Sequence, residues 1–181
     1  MRTRFAQHDW AAVATCLSAE KSFLTSGNLW GDEWGTTAQS PGAWERHHPQ
    51  WFQYLEGIRG REKVDYIVYS YNTMIGVKLG SGRWVVDAAA NHHSPMTAQA
   101  VGSFRTALRQ VAQSDQVEEI GREWMVSRNL THAQRAVMYN NLGIASRKPT
   151  HDALVRNGLI EPNGVLTELG HGVRQWCNWW L

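Results

Sequence analysis

From Leu130 onward the chain spells out one arrangement of secondary structure, step by step. Thr131 and Gln134 match a capping box, which satisfies the free backbone N–H groups at a helix start. Ala133, Val137 and Met138 give that helix an apolar face. Thr150 is placed to cap a second helix with Ala153 and Leu154 on its buried side, and Gly158 stands where a helix end favours a left-handed residue. Leu159-Ile160 then enter a short strand, Asn163-Gly164 turn it, Val165-Leu166 return, and Thr167 caps a last helix. Elements in this order make a helical unit with a two-stranded wing, the winged-helix type. Every local signal agrees with that one architecture.

If such a unit contacts DNA, the helix over 150–157 is the reader. Its polar residues are His151, Asp152, Arg156 and Asn157, and Arg147 and Lys148 precede it. Cationic side chains bind phosphates, while Arg and Asn also hydrogen-bond base edges. The expected nucleic-acid-binding residues are therefore Arg147, Lys148, His151, Arg156 and Asn157. The net charge of the whole chain, +2, is too small for coating nucleic acid by charge alone. The basic bias is local: Arg128, Arg135, Arg147, Lys148 and Arg156 stand against Asp152, after the acidic stretch Asp115, Glu118, Glu119 and Glu123. Fold alone does not fix function, because winged-helix units also serve as protein-interaction modules. DNA and a protein both stay open as partners.

The rest of the chain reads as a second, α+β unit. Residues 8–24 suggest a helix with Asp9 as N-cap and Trp10, Val13, Ala14 and Leu17 near one face. Residues 25–49 are punctuated by glycine, serine and proline, and read as a long loop, either functional or partly disordered. Val64 to Tyr71, Met74 to Leu79 and Arg83 to Asp87 are rich in β-branched and aromatic residues. Gly80-Ser81-Gly82 makes a hairpin turn, so a three-stranded antiparallel meander is expected. Thr97 is the expected N-cap of a helix carrying Ala100, Val101, Phe104, Ala107, Leu108 and Val111 on one face, and residues 115–128 the expected connecting helix. The expected fold is α+β: a small antiparallel sheet packed by helices over 1–114, then the winged-helix-like unit over 115–181.

Ten tryptophans mean either a core of large side chains or a sticky partner surface. No run of apolar residues is long enough to span a membrane, and no uninterrupted apolar stretch follows the basic start Met1-Arg2, so neither membrane insertion nor a secretory leader is expected. Cys16 and Cys177 lie far apart and outside any C-x-x-C pair, which fits a reduced compartment. His47-His48 and His92-His93 lack a carboxylate or cysteine at ligand spacing, so no metal site and no cofactor are expected. Tyr69-Ser70-Tyr71-Asn72-Thr73 concentrates hydroxyl groups, read here as a sheet face with cross-strand hydrogen bonds. Catalysis would need a pocket joining Tyr71, Asn72, His92 and His93. No nucleophile–base pair is legible, so a non-enzymatic protein with no catalytic residues is expected.

The stretch Tyr69-Ser70-Tyr71-Asn72-Thr73-Met74-Ile75, then Trp84-Val85-Val86, then His93-Ser94-Pro95-Met96-Thr97-Ala98-Gln99, resembles an uncharacterised domain family common in phages of actinobacteria. Its members show a Tyr-Ser-Tyr start, a strand pair and a Tyr-Ser-x-Thr-Thr-x-x-His stretch opening a helix. The opening Arg2-Thr3-Arg4-Phe5 is also similar to theirs. Here His93 takes the Tyr place, Met96 the first Thr place and Ala100 the His place. The resemblance covers roughly residues 64–110. It implies a small phage accessory protein acting in the host cytoplasm and carries over no activity.

Overall fold

The computed structural model describes residues 2–6, 9–33, 49–92, 94–140 and 148–177. The chain divides into two compact units, Met1–Gly121 and Arg122–Leu181.

The first unit is built on a seven-stranded sheet whose strands lie side by side in chain order. They are β1 (Thr3–Phe5), β2 (Phe23–Thr25), β3 (Leu29–Glu33), β4 (Val64–Ser70), β5 (Thr73–Leu79), β6 (Trp84–Asp87) and β7 (Val117–Ile120). β2 to β6 are antiparallel; the outer pairs β1–β2 and β6–β7 are parallel. A parallel pair needs a crossover, and α1 (Trp10–Ser18) and α3 (Pro95–Leu108) supply one each. Both crossovers leave strands that run the same way and step the same way across the sheet. The right-handed rule therefore places both helices on one face. They do share a face: α1 and α3 pack on each other and on one core with Phe23, Tyr66, Val68, Trp84, Val86 and Phe104. Helix α2 (Pro49–Ile58) covers the other face. There Trp51 is fully buried with Ile67, Tyr69, Met74, Val77 and Val85, and its indole N–H donates to the Met74 carbonyl at 3.0 Å.

The expected meander is present as β4, β5 and β6, and the glycine turn closes with the Gly82 N–H donating to the Leu79 carbonyl. The sheet is nevertheless not the small antiparallel one expected, since four more strands extend it and its ends are parallel. The helix expected over 8–24 stops at Ser18, capped by Asp9 as anticipated, and 23–25 pairs in the sheet. β3 occupies part of the expected loop 25–49; residues 34–48 lie outside the described ones. Ser94, not Thr97, caps α3: its hydroxyl oxygen accepts from the Thr97 N–H, and Pro95 fills the first position, where no N–H partner exists. Residues 117–120 are strand rather than helix, because β6 offers an open parallel edge to Val117 and Ile120. The first unit therefore ends at Gly121 and not at 114.

The second unit holds α4 (Arg122–Asn129), α5 (His132–Asn140), α6 (Lys148–Arg156) and α7 (Glu168–Cys177). Leu130, Met138, Leu154, Leu159, Ile160, Val173 and Cys177 form its core. The Thr131–Gln134 capping box and the Thr167 cap are both formed. Thr150 lies inside α6, which already begins at Lys148, so it is not the cap. The six described tryptophans are all buried or half-buried, which favours the core reading of the indole surface; Trp34, Trp44, Trp179 and Trp180 lie outside the described residues.

Gly170 marks the tightest contact in the second unit. A side-chain carbon there would overlap the Leu159 carbonyl oxygen, and backbone cannot swing aside as a side-chain tip can. Gly170→Ala is expected to destabilise this unit by about 2–4 kcal/mol, as overpacking against backbone does. Loss of the α4–α7 helix signal at lower urea in circular dichroism would show it; an unchanged midpoint would contradict the packing described.

Candidate nucleic-acid interface

Helix α6 is anchored by few residues and leaves most of its surface to solvent. Leu154 is fully buried and Val155 half-buried in the core. Lys148, Asp152 and Arg156 follow at intervals of four, form one stripe, and are all exposed. His151 is half-buried with its Nδ1 3.8 Å from Asp152 Oδ1, and Asn157 is exposed just past the helix end. The end itself is fixed by two bonds: the Gly158 N–H donates to the Val155 carbonyl and the Leu159 N–H to the Leu154 carbonyl. With Gly158 at φ +67°, this is the Schellman closure anticipated for glycine.

The chain then runs through an antiparallel bridge, Ile160 with Leu166. Its turn is not a two-residue Asn-Gly loop. The Gly164 N–H donates to the Glu161 carbonyl, so Pro162 and Asn163 are the central residues, and Asn163 Oδ1 accepts from the Val165 N–H. The two short strands expected at 159–160 and 165–166 are thus reduced to this single bridge, and the Thr167 hydroxyl, donating to the Gly158 carbonyl, ties the returning chain to the end of α6.

The local basic bias is partly consumed inside the fold. Arg135 donates from Nε and Nη2 to the Leu130 carbonyl at 2.9 and 2.7 Å, just beyond the end of α4. Arg128 lies over the Trp124 ring, 5.5 Å from its centroid. Arg147 lies outside the described residues. Lys148 and Arg156 stay exposed, with no salt bridge among the described residues. The structure thus leaves Lys148 and Arg156 exposed on one stripe of α6 and Asn157 exposed just past its end, and turns His151 partly inward. Sequence reasoning missed an open cleft of about 630 Å3 lined by Tyr139, His171, Arg174 and Gln175. Helical periodicity marks only the buried side of α5 and α7, so this outer pairing of two helices carried no signal.

Tyr71 sits in the β4–β5 turn at φ +53°; its carbonyl accepts from the Trp30 indole and its hydroxyl donates to Met96 Sδ. Asn72 completes that turn, His92 closes a 3-10 turn over Ala88–His92, and His93, His47 and His48 lie outside the described residues. Tyr69 stacks on Trp30 with centroids 4.3 Å apart, and neither the Tyr69 hydroxyl nor that of Ser70 forms the expected cross-strand bond. Among the described residues no group of three or more His, Cys, Asp or Glu is placed to hold a metal ion. No helix among them is long and apolar enough to cross a membrane. Comparison with protein-family models, curated proteins and solved structures finds no match.

The most perturbed acid is Asp87, fully buried at the end of β6. Burial pushes its carboxyl up to about 6, against opposing hydrogen bonds from Gln50 and from the Ala89 and Ala90 N–H groups. Gln50 Oε1 is buried beside it without a partner. A raised folded-state pKa means the folded protein holds the proton more tightly than the unfolded chain. The stability from this group is complete below about pH 4 and is lost as pH rises to about 6, a change on the order of 3 kcal/mol. Asp87→Asn removes that dependence, and its amide donates to Gln50 Oε1 once the Gln50 amide turns over. Urea unfolding from pH 4 to 8 is expected to show wild type losing ground against Asp87→Asn as pH rises; parallel curves would refute the buried-acid reading.

Proposed function

We propose that residues 122–177 act as a winged-helix-type recognition unit of a non-enzymatic phage accessory protein, with α6 reading DNA and the 160–166 ribbon as its wing. The observation that carries this reading is the exposed stripe of α6. Lys148 and Arg156 are exposed on one stripe of a helix pinned by a buried leucine, without a salt bridge among the described residues, and Asn157 follows Arg156. The phage assignment and a place in the host cytoplasm rest on the motif residues of 64–110 alone. The mechanism follows from the residue types. Lys148 neutralises phosphate, Arg156 and Asn157 present forks to base edges, and Asp152 between the cations discriminates against misplaced backbone. The charge balance supports it: the second unit carries seven Lys or Arg against four Asp or Glu, the first eleven against twelve.

Fluorescence anisotropy of the full chain with a labelled 30-base-pair duplex (~30, long enough for several registers) tests it. Lys148→Ala with Arg156→Ala is expected to weaken binding at least tenfold, and to reduce the slope of log affinity against log salt by about 2. Unchanged affinity would remove α6 from consideration.

A second reading has its own observation. The wing tip carries Glu161 and no cation, and Val165 is 56% exposed on it. That surface suits a host protein better than a phosphate backbone. Capture from nuclease-treated host lysate is expected to retain one stoichiometric protein and to lose it with Val165→Asp. Capture that disappears with nuclease treatment returns the partner to nucleic acid.

A further inference from the structure

The first unit holds a cleft that the DNA-reading surface does not use. Helix α3 and β7, the last strand of the sheet, line an opening of about 620 Å3. That lies within the usual size range of small-molecule sites, about 300–1,000 Å3. Arg105, Leu108 and Arg109 occupy one face of α3, and Val117 and Glu119, two apart on β7, share one face of the sheet. Val86 of β6 continues the apolar floor.

The charges in this cleft are unequal. Glu119 Oε1 accepts from Arg105 Nη2 at 2.6 Å, so the one carboxylate in the lining is already engaged. Arg105 Nε is buried with no acceptor. Arg109, one turn further on, is exposed and has no ion pair among the described residues. A cation in the last turn of a helix complements the helix dipole, so Arg109 alone assigns nothing. Its place at the mouth of an apolar-floored cleft, beside a neutralised Arg–Glu pair, leaves one net positive charge facing a volume of ligand size.

We propose that this cleft binds a small organic carboxylate with an apolar body. Arg109 holds the carboxylate through its planar fork, and the body lies on Ala112 and Val117, over the buried Val86 and Leu108. Arg105, fixed by Glu119, positions the wall and adds field without being the primary partner. The recognition needs both parts, since neither charge nor apolar contact alone fills such a site.

NMR titration of the full chain with 4-phenylbutyrate tests this, with 4-phenylbutan-1-ol and inorganic phosphate as the controls lacking charge and body. The Val86, Leu108 and Val117 methyl signals are expected to shift saturably with 4-phenylbutyrate, with a dissociation constant on the order of 1 mM for a ligand of this size. Arg109→Gln is expected to weaken binding at least about fivefold. Arg109→Lys, which keeps the charge but not the fork, is expected to lose less. The two control compounds are expected to leave these signals largely unmoved. Absence of saturation by 4-phenylbutyrate at about 20 mM, well above the affinity expected, overturns the proposal. So do equal shifts with either control, or an unchanged affinity in Arg109→Gln.

Discussion

Strand β4 is apolar on both faces, and the two cores of the first unit hang from it. Tyr66 and Val68 point to the side of α1 and α3; Ile67 and Tyr69 point to the side of α2. A strand buried on both sides cannot slip by one residue, because a slip exchanges the two sets of side chains. Two register shifts against β5, between Val64 and Tyr66 and between Val68 and Tyr69, adjust which side chain faces which core. With β4 fixed, β3 and β5 take their positions from its hydrogen bonds, and the helices take theirs from the aromatic surface it presents. On the Tyr66 side, Trp84 meets Tyr66 edge-on and Phe104 meets Trp84 in turn, while Trp51 and Trp30 close the opposite side. Truncating one such aromatic typically costs about 3–5 kcal/mol, a large part of a domain's net stability.

How much of this was legible depends on whether the information was local. The Asp9, Thr131 and Thr167 caps, the Gly158 helix end and the glycine hairpin at 80–82 are written within a few residues, and each is found. β1, β2 and β7 were not legible. They have three or four residues each, and what makes them strands is an open neighbouring edge. Val117 and Ile120 fit a helical spacing as well as a strand, and only the edge of β6 decides between them. The helix starting at Lys148 shows a related limit, because Thr150 is a good cap by type but a worse competitor than Pro149 in the first turn.

The candidate interface was legible in its residue types and less so in its charge. Counting cations along the sequence treats each as free. Arg135 and Arg128 show why that overestimates: a guanidinium within reach of an unsatisfied carbonyl or an indole face is drawn into the fold. The long arginine side chain makes this common, and nothing in the local pattern separates a structural arginine from an available one. Asn157, by contrast, is exposed for a reason the sequence does contain, since it lies between the last turn of α6 and the glycine that ends it.

The proposed reading of DNA by the second unit has to work with this reduced charge. On the proposed reading, the two exposed cations of α6, Lys148 and Arg156, release about two counterions, which gives weak attachment with only a shallow salt dependence. Asp152 sits between them and subtracts from the field at short range. On that reading the electrostatic contribution of α6 is too small to carry binding at physiological salt, and its affinity would come from contacts that are lost when the sequence is wrong. Arg156 and Asn157 are the residues able to supply them, because a bidentate contact to a base edge contributes about 1–3 kcal/mol of discrimination. If α6 reads DNA as proposed, its weak charge makes it selective: with little background attraction, nearly all of its binding free energy would depend on the correct base pairs.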